Sequence, residues 1–434
     1  MFSTAFPVTL KTFFGLVYSF IFMLMSLIGT PKAGYTEEMP VADENFTPAI
    51  RFVVCTDSHN NNENIVKMVE TCYGIYGDDG IDLFAHCGDF SEIGQQSEFE
   101  DFYNTLIEAV DGKAEIFVIL GNHDLRSGYD AHERYCELFG EESSNLHKVV
   151  KGFHFIGIPS YTKSALQLAA PSDINWARKQ LNAAEADSDN LPVFTFMHPH
   201  NRGTVYGSTI WGCDAFNGIW EGHSRVVSFS GHSHYPIEDP RTIWQGSYTS
   251  VGAGAMKRFE LEKDLVWGQK PDQYDTAGEF WVVEADRNGA VKLDAYDLNT
   301  EKFFLSYFIE DVNDPSSFVY TYKNRLKYDD APVFAEDTKV EYSFNENSEM
   351  LVTFDKASDK FQVHDYKIVV KNSFGIPVCR ETFLSDYYLQ DTPDTFTANL
   401  GEVKLKEGKN FTIQITAVNC YYELSEPFKA EFTK

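Results

Sequence analysis

Five short polar clusters, each following a run of apolar, largely β-type residues, constrain this chain more than any other feature. They read Asp57-Ser58-His59, Gly88-Asp89, Gly121-Asn122-His123-Asp124, His198-Pro199-His200 and Gly231-His232-Ser233-His234. The runs ahead of them, 50–55, 81–85, 114–120, 193–197 and 226–229, are rich in Val, Ile and Phe and bounded by Gly, Asp and Asn. Such runs predict buried strands. Helical periodicity lies between them: Ile65, Val66, Met68, Val69 and Cys72 form one stripe, Phe99, Phe102, Leu106 and Val110 a second. Ile174, Ala177 and Leu181 form a third, with Asp173 as its expected N-cap. Strands alternating with helices predict a layered α/β core, and the carboxyl ends of strands are where such sheets place their sites.

The chain has 434 residues and a net charge of −29, with the acidic residues spread along it. That surface repels nucleic acid, whose binding relies on a basic footprint, so a nucleic acid duplex is excluded as a partner. A phosphate-bearing substrate must instead be captured by a local positive centre. The seven cysteines show no CxxC spacing, which argues against a thiolate zinc site. Cys55 and Cys87 read as small core residues, while pairing of Cys379 with Cys420 stays open.

Lys11 precedes an uncharged, apolar stretch over 12–31, and a polar acidic segment follows. This pattern fits an export signal over 1–33, and the stretch is also long enough for a retained membrane anchor. Both readings place the rest of the chain outside the cytoplasm, secreted, periplasmic or on the cell surface. Residues 34–48 form a tether, 49–309 the α/β domain closed by a hairpin around Asn288-Gly289, and 310–330 a linker. Over 331–434 strand signals at 350–354, 363–370, 395–400 and 411–418 predict a small all-β sandwich.

The clusters supply carboxylate, imidazole and amide groups enough for two adjacent metal ions. A D-x-H unit at a strand end can aim two ligands at one ion, because alternate strand residues share a face. Asp57 with His59 and His232 with His234 have that spacing. Asp89, after a glycine that permits a tight turn, is the natural bridge between two ions, and Asn122 and His198 offer an amide oxygen and a further imidazole.

In order and content this set resembles the calcineurin-like metallophosphoesterase superfamily over roughly residues 50–300. The resemblance implies an α/β sandwich of two β-sheets flanked by helices. It implies Asp57, His59 and His234 on one ion, Asn122, His198 and His232 on the other, and Asp89 between them. His123 would contact the phosphate or protonate the leaving oxygen, with Asp124 orienting it. The implied reaction is attack on phosphorus by metal-bound hydroxide. Mixed oxygen and imidazole donors favour Mn, Fe, Zn or Co over Mg.

Departures narrow the branch. Asp89 is followed by Phe90-Ser91-Glu92, unlike the Asp-Arg-Gly of protein Ser/Thr phosphatases. Glu92 stands where purple acid phosphatases carry a metal-binding Tyr, and the C-terminal region is shorter than that of exported nucleotidases. The cyclic-nucleotide and glycerophosphodiesterase branch remains, so a small phosphodiester is the expected substrate and a phosphomonoester the alternative. In that branch His-His-Pro often stands where this chain has His198-Pro199-His200; His198 follows its strand most closely and is favoured as the ligand. The C-terminal region resembles a fibronectin type III-like sandwich, with Phe411 where its corner tyrosine usually lies; such modules bind protein or glycan, or act as spacers. An alternative of another class is a non-catalytic surface binding protein that retains the metal fold. His86 is read as structural. His200, Asn201, Arg202, Arg126 and Tyr129 read equally as pocket lining or solvated loop, and Trp211 and Trp220 as a lid or a satellite core.

Overall fold

In the computed structural model the apolar stripes become the buried faces of helices. The structure describes residues 40–434 apart from 43–44, 129, 164–168, 188–189, 265 and 326–329. The signal or anchor expected over 1–33, most of the tether, and Tyr129 lie outside the described residues. Among those described, no helix is long and apolar enough to cross a membrane. Helix α1 (Asn62–Tyr76) buries Ile65, Met68, Val69 and Cys72, and α2 (Gln96–Val110) buries Phe99, Phe102, Leu106 and Val110. A short α3 (Ala131–Phe139) precedes α4 (Pro171–Asp187), which buries Ala177, Leu181 and Ala184. Asp173 is not the cap of α4. The helix begins two residues earlier, where proline is favoured, and the Asp173 carboxylate accepts from Asn145 Nδ2 (3.0 Å).

Two six-stranded sheets carry the first unit. One is built from β1 (Ile50–Cys55), β2 (Leu83–His86), β3 (Glu115–Val118), β10 (Glu279–Ala285), β11 (Val291–Asp297) and β12 (Lys302–Ile309), in the order β12-β11-β10-β1-β2-β3. The other is built from β4 (Leu146–Val150), β5 (Phe153–Ile158), β6 (Val193–Met197), β7 (Val226–Ser230), β8 (Ile243–Gln245) and β9 (Thr249–Gly252), in the order β8-β9-β7-β6-β5-β4. β1, β2 and β3 run parallel, as do β5, β6, β7 and β9. The β10–β11 hairpin has the expected pairing, with Asn288 N–H donating to Asp286 (2.8 Å) and Gly289 at φ +102°.

The sheets meet face to face through aromatic rings. Phe52 of β1 packs against Phe155 and Phe194 of the opposite sheet at centroid distances of 5.1 and 4.6 Å. On β6, Phe194 and Phe196 point into this shared core, while Val193 and Met197 join α4 and Trp220 in a second cluster on the outer face. That alternation is the strand period of two. Phe52→Ala should therefore cost about 3–5 kcal/mol in denaturant unfolding. A loss below about 1 kcal/mol, the range of tolerated volume-conserving swaps, would contradict the packing.

The chain divides into two units, the second comprising 323–434 with 238–240 and 262–272. Residues 312–320, placed in a linker from sequence, pack on the first unit: Val312, Phe318 and Tyr320 lie in its core, and Tyr320 N–H donates to Gln245 Oε1 (3.0 Å). Their apolar side chains make packing more favourable than solvation. The second unit contains two antiparallel sheets. β13 (Val340–Phe344), β14 (Met350–Asp355) and β17 (Thr395–Asn399) form one, ordered β13-β14-β17. β15 (Val363–Asn372), β16 (Pro377–Leu384), β18 (Asn410–Asn419) and β19 (Phe428–Thr433) form the other, ordered β16-β15-β18-β19. Met350, Val352, Phe354, Ile368, Ile413 and Ile415 fill its core. All seven cysteines are free thiols, Cys379 and Cys420 included.

Candidate metal centre

All five polar clusters lie just beyond the carboxyl ends of parallel strands: β1, β2 and β3 of one sheet, β6 and β7 of the other. Strand alternation is not what aims the paired ligands. β1 ends at Cys55 and β7 at Ser230, so Asp57, His59, His232 and His234 follow the strands in turns. Their backbones, with that of Asp89, take left-handed conformations: φ is +54° at Asp57, +41° at His59, +57° at Asp89, +72° at His232 and +58° at His234. Such conformations cost energy in non-glycine residues and concentrate where function over-determines the backbone.

Hydrogen bonds between the turns hold this geometry. Asp57 N–H donates to Gly88 O (3.1 Å), His59 N–H to Asp89 O (3.0 Å) and His232 N–H to Asp57 Oδ2 (2.9 Å). Gly121 packs so closely that a Cβ there would lie 2.1 Å from Asp89 Oδ1, so no side chain fits.

The side chains gather into two buried groups of three potential ligands: Asp57 with His59 and His234, and Asp89 with His198 and His232. In the first, His59 Nε2 and His234 Nε2 are 3.2 Å apart and lie 3.6 and 3.3 Å from Asp57 Oδ1. In the second, His198 Nε2 lies 3.0 Å from Asp89 Oδ2 and 3.1 Å from His232 Nδ1. Asp89 Oδ2 is also 3.9 Å from His59 Nε2, which puts one carboxylate oxygen between the groups. Asn122, 3% exposed, sits in the adjoining turn, where the next N–H, of His123, donates to Asp89 Oδ1 (2.7 Å). A third combination, His59 with Glu92 and His123, shares His59 with the first.

The donor set fits metal ions. Asp57 Oδ1 is buried and accepts no hydrogen bond, an arrangement that is costly unless a cation faces it. His198 donates through Nδ1 to Cys87 O (2.9 Å) and His234 through Nδ1 to Arg258 O (3.1 Å), which turns both Nε2 atoms toward the other potential ligands. Burial works against the Asp57 and Asp89 carboxylates, yet the neighbouring imidazoles outweigh it and hold both well below the usual carboxylate range. Burial likewise opposes a charge on His198, and Asp89 and Asp57 overcome it, raising the ring to about 9. Each shift marks a site built around opposite charge.

Asp124 does not orient His123. Its buried carboxylate accepts from the N–H groups of Asp89 (2.9 Å), Gly121 (2.7 Å) and Ser91 (2.9 Å) and from Ser91 Oγ (2.6 Å), so it fastens the second and third clusters together. Burial and the Asp89 charge push Asp124 up to about 7, partly offset by the donors. His123 is oriented instead by its Nδ1–H donating to Glu92 O (2.8 Å), with Arg126 Nη2 2.5 Å from its Nε2.

His200, also considered as a pocket residue, bonds through its two ring nitrogens to Ser230 Oγ and Ser233 Oγ (both 2.8 Å) and lies outside the two groups. Asn201 bonds Ser228, and Arg202 pairs with Asp214 (2.9 Å). His86 is buried, bonds Ser58 Oγ (3.1 Å) and accepts from Gly88 N–H, and burial lowers it to about 3. Trp220 is core, whereas Trp211 stands edge-on to His232 at 5.3 Å and walls the site. Sequence reasoning missed Lys257 and Arg258, which approach the Glu92 carboxylate at 3.6 and 3.3 Å. Their signal was an adjacent basic pair in an acidic chain.

Residues 50–236 match the calcineurin-like phosphoesterase family. The first unit has the metallophosphoesterase fold, two six-stranded sheets flanked by helices. No curated protein matches the chain. Among solved structures, GAP50, "the anchor in the inner membrane complex of Plasmodium", is similar at 12% identity and a TM-score of 0.45, over 60% of this chain and 89% of its own. Purple acid phosphatase PPD1 from yellow lupin (Lupinus luteus) is similar at 15% identity and a TM-score of 0.43, over 67% of this chain. This chain spans 58% of the lupin protein.

Proposed function

We propose that this chain is an exported, two-metal-dependent phosphoester hydrolase acting on small phosphodiesters. One observation carries the reading: two buried triads of ligand atoms meet at the Asp89 carboxylate. The proposed ligands are Asp57, His59 and His234 for one ion and Asn122, His198 and His232 for the other, with Asp89 shared. Divalent Mn, Fe, Zn or Co held there would supply Lewis acidity toward the phosphoryl oxygens and acidify an attacking water.

The chain's own groups do the rest. Asp124 keeps the turns bearing Asp89 and Asn122 in register through its four donors. His123 presents Nε2 toward Asp89 Oδ2 (3.9 Å). Its Nδ1–H is committed to Glu92 O, so Nε2 is the atom that contacts a phosphoryl oxygen or hands a proton to the leaving oxygen. Burial, with Arg126 adding to it, lowers His123 against the pull of Asp89, which disfavours the protonated ring.

Diester preference rests on the sequence departures after Asp89. Monoester hydrolysis is the second reading, supported by the Arg126 guanidinium, which could meet the extra charge of a dianionic ester. The ordering of the C-terminal strands into sheets of three and four supports a fibronectin type III-like module for binding protein or glycan. Export, with a cleaved signal or a membrane anchor, rests on the pattern over 1–33.

Turnover of bis(p-nitrophenyl) phosphate and p-nitrophenyl phosphate with added Mn tests the reading. The diester is expected to be hydrolysed faster, and His123→Ala should lower kcat about a hundredfold while leaving the number of bound ions unchanged. Faster monoester turnover would favour the second reading. Loaded protein that hydrolyses neither ester would be a binding protein with a silent metal fold.

A further inference from the structure

Glu92 collects three cations at the edge of the metal centre, and its two oxygens divide them. Oε1 faces His123 Nδ1 (3.7 Å) and Arg126 Nη1 (3.9 Å). Oε2 faces His59 Nδ1 (3.5 Å), Arg258 Nη1 (3.3 Å) and Lys257 Nζ (3.6 Å). Lys257 is fixed further by donating to His59 O (2.5 Å), and Arg258 Nε lies 3.8 Å from Glu260. Three cationic side chains thus meet two carboxylates, a local positive excess in a chain of net charge −29. Arg126, Lys257 and Glu92 keep 42%, 37% and 35% of their side-chain surface exposed, so an anion from solvent can reach them.

Two effects compete for an approaching anion. The overall negative charge repels it at long range, but salt screens charges beyond about 8 Å, so within the mouth of the site the local excess governs. The rim also has a direction. Arg126 touches His123 Nε2, the ring atom nearest Asp89, and so borders the position of the scissile phosphoryl group. Lys257 and Arg258 gather instead at the other Glu92 oxygen, which they share with His59. A substrate bearing a single phosphoryl group would leave that pair to Glu92, Glu260 and the His59 carbonyl.

Resting on the phosphoester hydrolase reading, we infer that Lys257 and Arg258 form a subsite for a second anionic group, a carboxylate or a further phosphate, on the substrate, while Arg126 borders the scissile phosphoryl. The substrate class is then a small phosphoester with two anionic centres. Glu92 is the positioning residue that holds all three cations, and substrate anions take over contacts that it makes at rest.

Calorimetric binding of methylphosphonate, phosphonoacetate and methylenediphosphonate to the metal-loaded full chain tests this without turnover. The last two add a carboxylate or a second phosphonate to the first. Wild-type protein should bind at least one of them roughly tenfold tighter than methylphosphonate, the scale of one charge-assisted contact. Which one gains identifies the second group. Lys257→Met with Arg258→Met should erase that preference while methylphosphonate affinity changes far less, and Lys257→Gln alone, a milder change, should erase part of it. Equal wild-type affinities overturn the subsite. So does a preference that survives in the double variant, because the added group would then be contacting the metal ions. Absence of bound metal in the wild type would instead overturn the hydrolase reading itself.

Discussion

Asp89→Ala lowers hydrolysis of either aryl ester by about a thousandfold or more, a loss of several kcal/mol of transition-state stabilisation, and leaves at most one ion per chain. The expectation follows from what its two oxygens do. Oδ2 lies 3.0 Å from His198 Nε2 within its own triad and 3.9 Å from His59 Nε2 of the other, so it stands between the two. Oδ1 accepts the His123 N–H at 2.7 Å and thereby sets the turn that carries Asn122 and His123. Alanine removes both functions, so Asp89→Asn is the informative companion, keeping an acceptor for His123 while losing the charge. Metal analysis of purified protein alongside initial rates gives the result. If Asp89→Asn retains two ions and wild-type turnover, the bridging assignment fails.

Removing the metal with a chelator should lower the melting temperature of the first unit and leave that of the second unchanged. At a free metal concentration a hundred times the dissociation constant, one bound ion contributes about 2.7 kcal/mol. For a unit of this size that corresponds to roughly 5–10 °C per occupied position. The cause is electrostatic. Without a cation the site buries Asp57 and Asp89 at 0% and 1% exposure, with Asp57 Oδ1 accepting no hydrogen bond. Breaking such a charge arrangement by removing one partner is strongly destabilising. Asp57→Asn should narrow the difference between stripped and loaded protein, because the orphaned charge is gone and one ligand with it. Scanning calorimetry resolves the two units, and identical traces with and without chelator would refute the metal assignment.

Much of the site was legible because its ligands sit in short motifs after readable strands. The runs ending at Cys55, His86, Met197 and Ser230 are mostly apolar and almost wholly buried, and the run ending at Val118 is buried at its carboxyl end. Two of the strands absent from that reading are of another kind. β12 exposes Lys302, Phe303 and Ser306, and β16 is largely open to solvent, so neither shows a clean run or alternation. The resemblance implies that Asp124 orients His123, but a motif says nothing of where a side chain points. The carboxylate faces the Asp89 turn and the imidazole faces Glu92 O.

The sequence by itself determined the order of the ligand clusters, the strand before each, the helical faces that cover one sheet, and the strong negative charge. Local composition and periodicity encode these, because each depends on a few neighbouring residues. The tertiary structure alone decided how Asp57 and His59 converge, through left-handed turns fastened by Gly88 and Asp89 backbone carbonyls. It also decided that Arg258 meets Glu92 across 166 residues of chain. Contacts of that kind depend on the packing of distant elements, and no local pattern records which charged side chains the fold will bring together.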